Sequence, residues 1–155
     1  MSRQEIVDTL RALPDQIEAL VRGLGDDALS LRPAPAQWSI KEVCAHLRDS
    51  LEIDGERIRR MVEEDDPNIP GYDQEALARE RDYQSASMPV VLTALRAFSG
   101  GNAYMLEGLS EEQWRRGGHH EERGQIYVDG YAEQQAEHVR AHLEQLRSLC
   151  RAPGQ

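Results

Sequence analysis

His138 and His142 lie four residues apart in Glu133-Gln134-Gln135-Ala136-Glu137-His138-Val139-Arg140-Ala141-His142-Leu143-Glu144. This run has no proline or glycine, and its apolar residues recur at helical spacing, so it is predicted to be helix. Residues four apart on a helix stand one above the other, and this spacing offers two imidazoles to one metal ion. A third candidate, His46, lies far upstream in Trp38-Ser39-Ile40-Lys41-Glu42-Val43-Cys44-Ala45-His46-Leu47-Arg48-Asp49. Three imidazoles and one vacant position describe a catalytic rather than a structural metal site. An ion so held acidifies whatever fills the vacant position. With water that chemistry is hydrolysis, and with a thiol, a softer ligand, it is thiol transfer.

Other polar residues fall near this set. Gln135 shares the inward face of the His138–His142 helix, where an amide needs partners to offset its desolvation. Asp49 is one turn beyond His46 and could orient an imidazole as an acceptor, or be a plain surface carboxylate. Asn102, inward by periodicity, could line the pocket or pair with a backbone group. His119-His120 could supply a fourth ligand or a general acid, or simply be solvated. Cys44 reads as a small buried filler before a soft ligand. Trp38 and Tyr104 read as packing. Beyond the three histidines no catalytic residue stands out, and none looks like a general base beside a hydrolytic water.

The elements that must position these residues are helices. Ser2 and Glu5 form a capping box ahead of Ile6, Leu10, Leu13, Ile17, Leu20 and Leu24, predicting a first helix to about residue 24, kinked or broken at Pro14. Gly23, Gly25 and Pro33-Ala34-Pro35 then predict a loop. Ser39 and Glu42 cap a second helix, with Trp38 and Val43 in the staple positions and His46 at the edge of its buried stripe. A short helical piece is predicted within Asp73–Tyr83. Pro89, in the first turn after Ser87, opens a third helix that carries Asn102. Ser110 and Gln113 cap a short turn, residues 117–127 read as loop, and the last helix covers about 128 to 150. With no sheet predicted, the fold is all-α: an up-down four-helix bundle with a long crossover between helices 2 and 3, as a single domain over 1–155.

Composition narrows the function. Lys and Arg number 18 against 28 Asp and Glu, a net charge of −10. No basic stripe is available to replace the counterions of a nucleic acid, so none is expected as a partner. No apolar run approaches a membrane span and no export signal is evident. Cys44 and Cys150 are too few for a disulfide framework, which predicts reduced thiols and a cytoplasmic setting. Ile53, Met61 and Val62 suggest apolar surface left over for a homodimer.

The Trp38-Ser39-Ile40 box with His46, the Tyr-Asp crossover and the terminal His138-Val139-Arg140-Ala141-His142 helix resemble the DinB-like superfamily, including its YfiT-type metal-dependent hydrolases. The resemblance covers nearly the whole chain. It implies a four-helix bundle whose His46, His138 and His142 hold one divalent ion at one end. Zinc, nickel or iron would serve; the His142-Leu143-Glu144 segment is similar to an iron-binding helix of ergothioneine-synthesising enzymes. The family also includes bacillithiol and mycothiol transferases. The expected activity is therefore transfer of a low-molecular-weight thiol, acting as co-substrate, to an electrophilic small molecule. A metal-dependent hydrolase and a non-enzymatic metal-binding, stress-associated module are the alternatives.

Overall fold

Two of the long helices begin at reciprocal caps that the sequence spells out. In the computed structural model, which describes residues 1–151, Ser2 and Ser39 each accept from the backbone three residues on, and Glu5 and Glu42 reach back. Residues 152–155 of the expected domain lie outside the described residues. In chain order the helices and strands are α1 (Arg3–Val21), α2 (Asp26–Ser30), α3 (Ile40–Glu63), β1 (Asn68–Ile69), α4 (Gln74–Glu80), α5 (Met88–Glu107), α6 (Glu111–Trp114), β2 (Gly117–His120), β3 (Gly124–Tyr127) and α7 (Val128–Cys150). A 3-10 turn, Tyr83–Ser85, precedes α5.

The four long helices α1, α3, α5 and α7 form the expected bundle. Each of α1 and α3 packs on both α5 and α7, so α1 and α3 stand at opposite corners. Leu10, Leu13 and Ile17 of α1 meet Leu47, Leu51 and Ile58 of α3, Leu95 and Leu106 of α5, and Leu146 of α7 in one core, all fully buried. Removing such side chains from water is the main source of stability here. Met61 belongs to this core, and Ile53 and Val62 are partly covered. Of the three residues on which a homodimer was expected, Met61 is thus enclosed, while Ile53 and Val62 keep part of their apolar surface exposed. Among the described residues no helix is long and apolar enough to cross a membrane.

α1 runs through Pro14 without the predicted break. Proline has no N–H, so the carbonyl of Leu10, four residues earlier, loses its helical donor. The Ser99 hydroxyl of α5 donates to that carbonyl instead. A second contact sets the approach of α3 to α5: Asn102 Nδ2 donates to the Leu51 carbonyl at 2.8 Å. Its Oδ1 lies 2.2 Å from where a Cβ on Gly55 would stand, so only glycine admits this approach.

The prediction of no sheet is corrected. Residues 117–127 form an antiparallel hairpin, β2 with β3, and β1 pairs parallel to β2 with Asn68 opposite His119. Glycines at 117 and 118 carry little strand propensity, which hid the hairpin. Gly118 packs under the Pro67 carbonyl and beside Met61, a contact made by tertiary packing alone. Gly124 closes the turn with φ +76°, the left-handed conformation glycine accepts freely. The predicted loop after α1 also contains the short α2. Its Asp26 pairs with the buried Lys41 at 2.7 Å and so anchors the start of α3.

Candidate metal centre

His46 projects from the second turn of α3 and is only 1% exposed, with the Trp38 ring 5.0 Å away centroid to centroid. His138 and His142 face it from one side of α7. The Nε2 atom of His138 is 3.3 Å from that of His46 and 3.0 Å from that of His142. Ligand atoms of all three lie within 4.8 Å of one another. Nitrogens bound about 2.0–2.1 Å from a tetrahedral ion stand roughly 3.3 Å apart, so the cluster has the spacing of a ligand set. His142 Nδ1 lies 2.8 Å from Gln145 Oε1. An amide oxygen only accepts, so the proton sits on Nδ1 and Nε2 presents its lone pair inward.

Burial, and then repulsion from the other two rings, pushes His46 down to about 3; Asp49 opposes this. Burial and His142 lower His138 to about 4, and burial lowers His142. All three are neutral near pH 7, the form that ligates. One proton on His138 Nε2 serves only one of its neighbours, and the other protein contact to His46 Nε2 is the Ser50 hydroxyl at a long 3.4 Å, so the protein holds these converging nitrogens only weakly. A divalent cation among them would hold them together, and the residues present fit one.

The cluster opens on two clefts. His138 lines one of about 410 Å³ together with Ser50, Asp54, Arg57, Tyr131 and Gln135. His142 lines another of about 550 Å³ with Trp38, Gln145 and Leu149, and Gln74 borders both. In the first, the Tyr131 hydroxyl donates to Asp54 Oδ1 and accepts from Arg57 Nη1 at 3.0 Å. Asp54 meets the cleft with part of its surface, yet its carboxyl is ringed by protein. That burial raises it to about 6 against the opposing Tyr131 bond and Arg57 charge. Gln135 is 3% exposed, and both its amide atoms lack a partner.

Residues 9–146 match the family model of the DinB superfamily. The chain belongs to that superfamily. Its DinB relatives include a "Putative metal-dependent hydrolase" of Oceanobacillus iheyensis, 26% identical over 147 residues, spanning 95% of this chain and 85% of the relative. "Putative metal-dependent hydrolase YfiT" of Bacillus subtilis is 24% identical over 149 residues, spanning 96% of this chain and 84% of its own. The solved structure of YfiT, described as a four-helix bundle of unusual topology, superposes with a TM-score of 0.89. That match covers 97% of this chain and 89% of YfiT at 22% identity.

Within this DinB bundle the other predicted site residues disperse. Asp49 is buried but is not a surface carboxylate, nor does it hydrogen-bond an imidazole. Its oxygens accept from Arg48 at 3.0 Å, from Arg81 at 2.7 Å and from the Tyr83 hydroxyl, tying the crossover to α3. Asn102 is the backbone partner described above and does not line either cleft. His119 is exposed on β2, whereas His120 is buried. Adjacent strand residues face opposite ways, so a solvated pair was not available to both. His120 Nδ1 accepts from the amides of Glu122 and Arg123 at 3.1 and 3.2 Å, holding the hairpin turn rather than a metal. Cys44 is enclosed in the core, where burial pushes its thiol up to about 12, fitting a filler and not a ligand. Tyr104 is 81% exposed and packs little.

Sequence reasoning passed over Asp54, Arg57, Arg123 and Tyr131. A signal for three of them was present: His46, Ser50, Asp54 and Arg57 recur at helical spacing on α3, opposite Tyr131, Gln135, His138 and His142 on α7. Two polar stripes facing each other across a bundle mark a lined cavity.

Proposed function

We propose that this chain is a metal-dependent hydrolase acting on a small molecule bound in the cleft beside His138. The observation that carries the reading is Asp54, a carboxylate with a raised pKa in the same cleft as the histidine cluster. Hydrolysis calls for a general base beside the attacking water, and Asp54 is placed to supply that function. His46, His138 and His142 would hold one divalent ion, zinc, nickel or iron. When bound, such an ion supplies Lewis acidity and brings a coordinated water to a pKa of about 7. Tyr131 and Arg57 fix Asp54 through Oδ1, leaving Oδ2 to take a proton from a water or return it to a leaving group. Trp38 and the crossover residue Gln74 border the centre and limit the approach of bulk water. The names of the curated relatives support the same reaction class.

Thiol transfer stands as a second reading because the centre meets two clefts on different sides, room for two reactants. The metal-loaded protein should be assayed against small esters, amides and lactones, with and without bacillithiol, mycothiol or glutathione. Turnover without thiol, falling about 10²–10⁴-fold in Asp54→Asn, is the expected result. Turnover only with thiol would replace hydrolysis by transfer. Saturable binding with no turnover under either condition would leave a metal-bearing binding module.

A further inference from the structure

Among the described residues eleven of the chain's 17 arginines form ion pairs. Arg57 and Arg123 have none among the described residues, although both line the cleft beside His138. Arg57 is 7% exposed. Its bonds go to neutral oxygens, the Tyr131 hydroxyl and the Pro70 carbonyl at 2.6 Å, and its guanidinium lies 5.5 Å from the Tyr72 ring centroid. The charges of Arg57 and Arg123 both act on Asp54, but neither arginine bonds it directly; Tyr131 stands between Arg57 and that carboxyl. A buried cation with no direct ion pair is costly, and an anion arriving from outside would offset that cost. Arg123 bonds Gln134 Oε1 at 2.7 Å and keeps the rest of its fork free. Its place is fixed by His120, whose Nδ1 accepts the Arg123 amide. Neighbouring Glu121 is turned away, its Oε1 accepting from the Gly71 amide, and Glu122 lies beside the same glycine.

Gln135 is an independent sign of a ligand. It lies on α7 between His138 and Tyr131, the residue that Arg57 bonds, lines this cleft, and is 97% enclosed with neither amide atom partnered among the described residues. Natural interiors rarely leave a whole amide unsatisfied, so this one calls for a partner from outside the chain.

We infer that the cleft binds the oxyanion end of the substrate, a carboxylate or phosphate, on Arg57 and Arg123, with the Gln135 amide as a neutral hook between that end and the histidine cluster. The guanidinium fork suits two oxygens of either group. A cleft of about 410 Å³ admits a small molecule with its anion at the arginines and its reacting bond toward His138. This inference deepens the hydrolase reading and names its substrate class.

The test is calorimetric titration of metal-free protein with inorganic phosphate and, separately, acetate, with metal uptake measured on the same samples. Leaving the metal out separates the cleft from the ion, so a failed anion site is distinguishable from a failed metal centre. Wild type should saturate at one site per chain. Whichever anion binds more tightly assigns a phosphoryl or a carboxyl substrate. Arg123→Gln and Gln135→Leu should each weaken binding about tenfold or more, while Arg22→Gln, outside the cleft, should not. Gln135→Leu should also melt no lower than wild type, because an orphaned amide is replaced by an apolar group of similar size. Absence of saturable binding of either anion, or unchanged affinity in Arg123→Gln or Gln135→Leu, would overturn the inference.

Discussion

Asp54 shows how one residue's surroundings set both chemistry and stability. Its folded value is raised to about 6 from the ordinary aspartate value of 3.8, chiefly by burial. Between these values the folded chain holds more protons than the unfolded chain, so this group's contribution falls as pH rises through that window. Asp54→Asn removes the titration while Oδ1 can still accept from Tyr131. Relative to wild type, the variant should therefore gain about 2–3 kcal/mol between pH 4 and pH 7, read from urea unfolding at both pH values. A constant difference across that range would show that Asp54 is not held against its charge. At this scale the histidines were legible because spacing on one helix is a local property. Arg123 was not, because it reaches the cleft through a turn that only tertiary pairing creates.

The bond between Ser99 and the Leu10 carbonyl belongs to the scale of elements, since it joins α1 to α5 where Pro14 leaves an acceptor bare. Ser99→Ala should cost about 1–3 kcal/mol, the loss of a buried partner. In a Pro14→Ala background the helix regains its own donor, and the cost of Ser99→Ala should shrink. A double-mutant cycle by denaturant unfolding measures the coupling, and strict additivity would refute this account. Gly55→Ala should cost about 1–3 kcal/mol, since the new methyl meets Asn102. The four long helices were legible because caps, staples and apolar stripes agree over many turns. The sheet and α2 were not. Gly117-Gly118 carries no strand pattern, and α2 is too short to show a period.

For the whole molecule, the bundle and its centre are separable. The apolar core runs along all four long helices, whereas the histidine cluster joins only α3 and α7. Metal-free protein should remain folded, and saturating zinc or nickel should raise its melting temperature through preferential binding to the native state. Unfolding on chelation would instead mark a structural ion, as in small metal-dependent domains. The order of elements, a first helix, the Trp38-Ser39-Ile40 box, the crossover and the terminal histidine helix, was enough to foresee the family. The corner arrangement was not, because nothing in a helix's own pattern says which neighbour its stripe will meet.

The central claim is that His46, His138 and His142 hold one divalent ion between α3 and α7. Elemental analysis after identical metal loading tests it most directly, on wild type, His46→Ala, His142→Ala and His119→Ala, with melting curves showing that each is folded. Wild type and His119→Ala should carry one ion per chain. His46→Ala and His142→Ala should lose affinity by orders of magnitude, as two imidazoles make only a weak chelate. Stoichiometric metal retained by His46→Ala, or lost from His119→Ala, would contradict the account.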